Sequence, residues 1–312
     1  MLGHHNLSSM IAWSVDQIRT TFVDNIGNKP KVGTGTGFWV NANDGPMVFV
    51  TNRHNVDPSI IFPKEKSLRL TKVELSLRVG PGNVLLYAPG EWFQCENVED
   101  SLYMSREWDV AIFVAPRLLD CDPERYRPRP VIKETDLADR EWFQRTQTMM
   151  DDCYFIGYPG TPAALSKSGR DVFHYDTRSK FPIARHAIIA SPPDIPFSHD
   201  SIPTTGTVLV SGMSFHGSSG SPVVTPQMGV PHGIMDFQVG NQKEESFRPA
   251  RVIGIMTGKF STNEIGADFT HAGLSYFTLS SCIAWVIQKA READWKRPSP
   301  ELGINNGDQK SR

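Results

Sequence analysis

The chain of 312 residues and 34.8 kDa is long enough to bury a sizeable core as one large domain or two. Its 32 basic and 34 acidic side chains leave a formal net charge of −2 and are spread along the sequence, so there is no basic block to serve nucleic acid or an anionic membrane face. No stretch approaches the ~20 apolar residues of a membrane-spanning helix, and neither a nucleic-acid nor a membrane partner is expected.

In chain order, residues 1–14 read as a loose or helical leader, without the charged start, apolar run and small-residue cleavage site of a secretory signal. Rough alternation from Ser14 to Phe22 predicts a first strand, and Val32–Val40 a second, loosened by Gly33, Gly35 and Gly37. Asn43-Asp44-Gly45 is a hairpin signal before the return strand Met47–Thr51. Further strands are expected at Leu68–Val79, Asn83–Tyr87 (after the Gly80-Pro81-Gly82 turn) and Val110–Val114. The polar stretch 128–150 carries a helix near Asp136–Thr146 and reads as a connector. Strands resume at Cys153–Tyr158, Ala187–Ala190, Thr207–Val210, Val252–Met256 and Leu274–Leu279. The period then becomes helical through Leu279, Ile283, Val286, Ile287 and Ala290, with Ser280 or Ser281 as the expected cap. From about Arg297 the chain is polar, rich in Pro and Gly, and reads as a disordered tail. Many short strands with one late helix predict an all-β barrel or sandwich. The four cysteines, Cys95, Cys121, Cys153 and Cys282, form no C-x-x-C pair and none sits beside a histidine at metal-ligand spacing. Free buried thiols fit a reducing compartment, and a cytoplasmic location is expected.

The stretch richest in chemistry is Phe215-His216-Gly217-Ser218-Ser219-Gly220-Ser221-Pro222-Val223-Val224. Small residues flank Ser219, and the glycines permit positive φ and close approach of a ligand to the backbone. The amides of Gly217 and Ser219 are candidates to bind a developing negative charge. A serine hydroxyl is a weak nucleophile alone and needs a base, and the base needs an orienting group. The nucleophile elbow of α/β-hydrolases places acid and histidine after the serine and a helix behind it. Here Pro222-Val223-Val224 opens a strand, and the fitting partners come earlier: His54 at a strand end and Asp109 at the mouth of an apolar strand. A carboxylate there that accepts from imidazole Nδ1–H leaves Nε2 to take the serine proton. His4, His5, His174, His186, His199, His232 and His271 lack a partner pattern, and Asp100 is the less favoured acid.

With the order His54, Asp109, Ser219, the sequence resembles the trypsin-like (chymotrypsin-fold) serine peptidases. The resemblance rests on Gly35-Thr36-Gly37-Phe38, Thr51-Asn52-Arg53-His54, Asp109-Val110-Ala111 and Gly217-Ser218-Ser219-Gly220-Ser221-Pro222, and runs from about Gly33 to Gln288. The Thr-Asn-Arg-His form is typical of bacterial members. Phe155–Gly160 looks like the opening strand of their second barrel, and Val252–Ile255 is similar to the glutamyl-endopeptidase branch.

The resemblance implies two antiparallel β-barrels with the active site in the cleft between them: an N-terminal barrel at about 15–127, the connector 128–150, a C-terminal barrel at about 151–279 and a helix at about 280–295. Residues 1–296 would form one peptidase domain and 297–312 the tail. It implies Ser219 as nucleophile, His54 as base, Asp109 as acid, and Gly217 and Ser219 as the oxyanion hole, with no metal or organic cofactor. Met213 would lie at the base of the specificity pocket, Ser214, Met256, Thr257 and Gly273 would form its walls, and His216 would line the entrance. The acid that reads Arg or Lys is absent from position 213, and Met256 stands where the glutamyl branch carries histidine. An uncharged, methionine-lined pocket favours an apolar or small side chain. The expected partner is a protein or peptide substrate, with a regulatory protein partner or a mobile loop as the candidate restraint on activity. The competing readings are a pseudo-peptidase that acts as a binding or regulatory module, and an esterase using the same triad.

Overall fold

A computed structural model describes residues 11–24, 30–65, 67–77, 91–95, 98–114, 132–161, 172–175, 181–193, 195, 197, 206–228, 248–262 and 270–295. The expected leader up to residue 10, the strand Asn83–Tyr87 with its preceding turn, Cys121, His199, His232 and the tail lie outside these residues.

Eight strands build the first half: β1 (Val15–Val23), β2 (Lys31–Asn41), β3 (Met47–Thr51), β4 (Arg69–Leu77), β5 (Glu91–Gln94), β6 (Leu102–Met104), β7 (Ala111–Val114) and β8 (Ile132–Lys133). They form a curled sheet in the order β5-β4-β1-β2-β3-β7-β6, with β8 beside β2. The β2–β8 pair is parallel, an exception to an otherwise antiparallel sheet. It also draws Ile132 and Lys133, read from sequence as connector, into the first half. The β2–β3 turn uses Asp44 at φ 52°, a left-handed conformation that Asp tolerates through local hydrogen bonding.

The second half contains β9 (Asp152–Gly157), the small hairpin β10 (Gly160–Thr161) and β11 (Val172–Phe173), then β12 (Ile183–Ile189), β13 (Thr207–Ser211), β14 (Pro222–Thr225), β15 (Arg251–Thr262) and β16 (Thr270–Leu279). Six of these close a barrel, β12-β13-β16-β15-β14-β9. Closure pairs every edge and leaves no exposed ladder. The molecule thus has a two-barrel, all-β architecture in which the second barrel is closed and the first is an open, curled sheet among the described residues.

The two halves share one core. Phe38, Val50 and Ile112 of the first half belong to the same buried cluster as Phe155, Val223 and Ile255 of the second. The helix Ser280–Glu292 seals their junction, packing on β6 and β7 as well as on β15 and β16. Its 3.6-residue period turns Ile283, Val286 and Ile287 inward, each 2% exposed or less, and burial of each contributes about 1.5–3 kcal/mol. Arg291 on the same helix pairs with Glu134 at 2.6 Å, fastening it to the segment that follows β8. The expected serine cap is not formed. Leu279 occupies the N-cap without a side-chain bond, and Ser280 Oγ instead donates to the Ala138 carbonyl at 2.6 Å. A buried hydroxyl satisfied across the junction outweighs a local cap here. The connector helix is shorter than expected, Arg140–Thr146, because the Asp139 carboxylate accepts from Trp142 N at 2.7 Å and sets its start. Among the described residues no helix is long and apolar enough to cross a membrane.

Candidate active site

The β3–β7 pairing opposes Thr51 to Ala111, so the segments beyond both residues emerge side by side. Asn52 bridges them, its Nδ2 donating to the Asp109 carbonyl at 2.8 Å. The chain then turns through the 3₁₀ segment Arg53–Asn55, braced by Arg53 Nε on Asp57 at 2.8 Å. On the opposite strand Ser105 Oγ accepts from Glu107 N and Trp108 N, folding the turn that presents Asp109.

Both carboxylate oxygens of Asp109 hold His54. Oδ1 accepts from the His54 backbone N–H at 2.8 Å, and Oδ2 lies 2.6 Å from Nδ1. A carboxylate accepts, so Nδ1 carries the proton and Nε2 has its lone pair available. Burial by itself would push the imidazole pKa down. The Asp109 charge and hydrogen bond together outweigh it, and the His54 pKa is raised above 6.5. Tyr276 on β16 sits in the same field: burial first, then the Asp109 charge, raises its phenol pKa and keeps it protonated.

Ser219 comes from the loop between β13 and β14. Gly217 and Gly220 take φ +83° and +91°, conformations that L side chains rarely adopt. The loop is pinned by its own backbone: Ser218 N to Phe215 O, Ser221 N to Ser218 O, and Gly220 N to Met256 O at 2.9–3.0 Å. By contrast, Gly217 N and Ser219 N have no acceptor among the described residues. The carbonyl of the peptide that carries Gly217 N, His216 O, accepts from Gly160 N at 2.7 Å, which turns that peptide's N–H the other way.

Thr36 of β2 joins this loop to the first half. Its N–H donates to Ser219 O at 2.8 Å and its hydroxyl to Gly217 O at 2.6 Å, while the same hydroxyl accepts from Tyr158 N at 3.1 Å. Asn55 Nδ2 adds a bond to Ser219 O at 3.3 Å. Sequence reasoning quoted Thr36 within Gly35-Thr36-Gly37-Phe38 and assigned it no role; its place between two glycines was the available signal.

Ser219 Oγ does not bond to the imidazole. Its one hydrogen bond, 3.5 Å to the Thr257 carbonyl, lies at the weak limit. Catalytic hydrogen bonds are often long without substrate and tighten in the complex.

The residues expected to shape the pocket divide. Ser214 is buried, with its hydroxyl 2.9 Å from Ser275 Oγ. Gly273, at φ +79°, has open space where a Cβ would point. Thr257 is buried with its hydroxyl beside that of Thr278 at 2.9 Å. Met213, expected as a pocket base, is 49% exposed, whereas Met256, expected as a wall, is 1% exposed and belongs to the core, so its side chain offers a ligand no surface. His216 is exposed at the loop rim; partial desolvation and then the Lys259 charge hold its imidazole below the usual range. Lys259 was not singled out from sequence, because β15 proved longer than its apolar stretch predicted. His186, read as unpartnered, in fact bonds Asp152 at 2.6 Å across an exposed strand pair. His174 stacks on Phe215 with ring centroids 5.2 Å apart. Cys95, Cys153 and Cys282 are buried free thiols, and burial pushes the latter two up to about 12. Among the described residues no group of three His, Cys, Asp or Glu side chains is placed to hold a metal ion.

Comparison with known proteins bears on this arrangement. Residues 35–234, more than half of the chain, match the family model described as the trypsin-like peptidase domain. Among solved structures, the HtrA-type protease AlgW, determined with a decapeptide, is similar with a TM-score of 0.50 at 16% identity, covering 92% of this chain and 67% of that one. Deg5 gives a TM-score of 0.45 at 14% identity, with 89% of each chain covered. No curated protein matches.

Proposed function

The chain belongs to the trypsin-like peptidases, and from that premise we propose that it is a serine endopeptidase in which His54, Asp109 and Ser219 form the catalytic triad. The observation that carries this reading is the two-oxygen grip of Asp109 on His54, which fixes the imidazole's tautomer and leaves Nε2 without a protein partner among the described residues. Ser219 Oγ attacks the scissile carbonyl carbon while Nε2 takes its proton. The tetrahedral oxyanion is held by Gly217 N–H and Ser219 N–H, neither of which has an acceptor among the described residues. The imidazolium, stabilised by Asp109, returns the proton to the leaving amine as the acyl-enzyme forms. Water, deprotonated by the same Nε2, releases the acid product. No metal or organic cofactor enters this cycle. The decapeptide in AlgW supports a protein or peptide as substrate. A cytoplasmic location and a regulatory protein partner belong to the same proposal, the former resting on the free thiols of Cys95, Cys153 and Cys282.

Labelling by a fluorophosphonate probe tests the nucleophile. The wild-type protein is expected to label and Ser219→Ala to remain unlabelled; no labelling, or labelling that survives the substitution, overturns the assignment. One observation favours the alternative of a non-hydrolytic binding module: Ser219 Oγ faces the Thr257 carbonyl instead of His54. A folded protein that binds peptide yet never labels would establish that reading.

The raised pKa of His54 gives a pH prediction with a definite sign. The base must be neutral to accept the serine proton, so kcat/KM falls as pH drops through an apparent pKa above 6.5. Asp109→Asn removes the charge that raises this pKa, so the acid limb is expected to move to lower pH. The same substitution favours the wrong tautomer and lowers kcat by about 10⁴. A pH–rate profile of both proteins reads the two effects together; an acid limb unmoved by Asp109→Asn would count against Asp109 as the group that sets it.

A further inference from the structure

The charge-free specificity pocket expected from sequence meets a cation that has no carboxylate partner among the described residues. Lys259 lies on β15 two residues beyond Thr257, whose carbonyl is 3.5 Å from Ser219 Oγ. Across the ladder it faces Ser275, and directly opposed antiparallel residues project to the same side of the sheet. The Ser275 hydroxyl donates to the Gly212 carbonyl at 2.8 Å, and its oxygen lies 2.9 Å from Ser214 Oγ. Gly212 N in turn donates to Gly273 O, and Gly273 leaves open space at its Cβ position. The side of the sheet that carries Lys259 is thus the side of the expected pocket walls Ser214 and Gly273.

Several partly buried cations of this fold meet carboxylates, as Arg53 does Asp57, Arg19 Glu74 and Arg291 Glu134, while Arg185 lies over the Phe215 ring at 4.3 Å and Arg251 donates to the Thr135 carbonyl. Lys259 has no carboxylate partner among the described residues. A partly buried ammonium without a counter-charge is unfavourable to folding unless a ligand supplies the charge. We propose that Lys259 forms a carboxylate-binding subsite next to Ser219, and that the preferred substrates are peptides with Asp or Glu on the acyl side of the scissile bond. This inference rests on the peptidase reading and replaces the apolar preference expected from sequence. The electrostatics agree with the geometry: burial lowers the Lys259 pKa, and burial first, then the Lys259 charge, lowers that of the His216 imidazole. A substrate carboxylate beside Lys259 would supply its counter-charge, and a charge-assisted hydrogen bond of this kind is worth about tenfold to a hundredfold in binding.

The test digests a proteome-derived peptide library with the wild type, Lys259→Met, Lys259→Arg and Lys259→Glu, a separate aliquot of each being exposed to a fluorophosphonate to establish a working nucleophile. The wild type is expected to cut bonds with Asp or Glu on the acyl side at least tenfold more often than the Gln and Asn equivalents. Lys259→Met loses that preference, Lys259→Arg keeps most of it, and Lys259→Glu shifts it toward Lys and Arg. A wild type whose test aliquot labels but whose unlabelled protein shows no acidic preference, or a preference that survives Lys259→Met, overturns the inference and leaves the peptidase reading intact. If the wild type fails to label, that reading fails separately. The subsite is then read by binding of an immobilised peptide array to Ser219→Ala and to Ser219→Ala/Lys259→Met. Acidic peptides favoured only in the first protein support the subsite; equal retention by both refutes it.

Discussion

Alanine at position 219 is expected to lower kcat for peptide hydrolysis by on the order of 10⁶, and alanine at position 54 by a similar factor. Either change disables the same step. Without the serine hydroxyl there is nothing for Nε2 to deprotonate, and without the imidazole the hydroxyl stays a weak nucleophile. The double variant Ser219→Ala/His54→Ala is therefore expected to be no slower than either single variant. A residual acceleration of about 10³–10⁴ over water would persist in all three, supplied by the loop amides and by substrate binding. Single-turnover assays on one peptide substrate measure this directly. Multiplicative losses in the double variant would mean that Ser219 and His54 act independently, contrary to the proposed triad.

Gly220→Ala is expected to disrupt the nucleophile loop without touching a triad residue. An added Cβ would lie 1.8 Å from the Thr36 carbonyl oxygen and 2.9 Å from Thr51 Oγ1, so backbone must move. It would also hold alanine at φ +91°. Backbone strain of this type costs about 1–3 kcal/mol, and overpacking adds about 1–3 kcal/mol. The Thr36 N–H that grips Ser219 O belongs to the strand that would be pushed away. Ser219 and its amide therefore shift together, and kcat/KM should fall by about 10²–10³, the worth of a misplaced oxyanion donor. Denaturant midpoints and fluorophosphonate labelling rates would register the two losses. Wild-type behaviour in both would show that the loop has room that the Thr36 contact denies.

Much of the framework was legible because strand signals are local. Met47–Thr51 has the predicted bounds, and the β1, β2 and β7 strands fall within a residue of the reading. Alternation and turn residues act over a few positions, and here tertiary packing agrees with them. The short strands β5, β6, β8, β10 and β11 left no such trace; segments of two to four residues become strands only when a neighbour supplies the ladder. The serine cap failed for a related reason: Ser280 had a partner 142 positions away that a local rule does not see.

The site divides along the same line. By itself the sequence determined which chemistry is available: a serine among small residues, with a histidine and an aspartate earlier in the chain, and glycines where the loop takes positive φ. Those are properties of residue type and order. Only the tertiary structure decided which aspartate grips the histidine and with how many oxygens, that Thr36 ties the nucleophile loop to the opposite half, and that Met256 belongs to the core. It also decided that Lys259 faces Ser275 across the β15–β16 ladder. Each of these depends on strand register and on contacts between residues far apart in sequence. An isolated stretch of chain carries no information about its cross-strand neighbour.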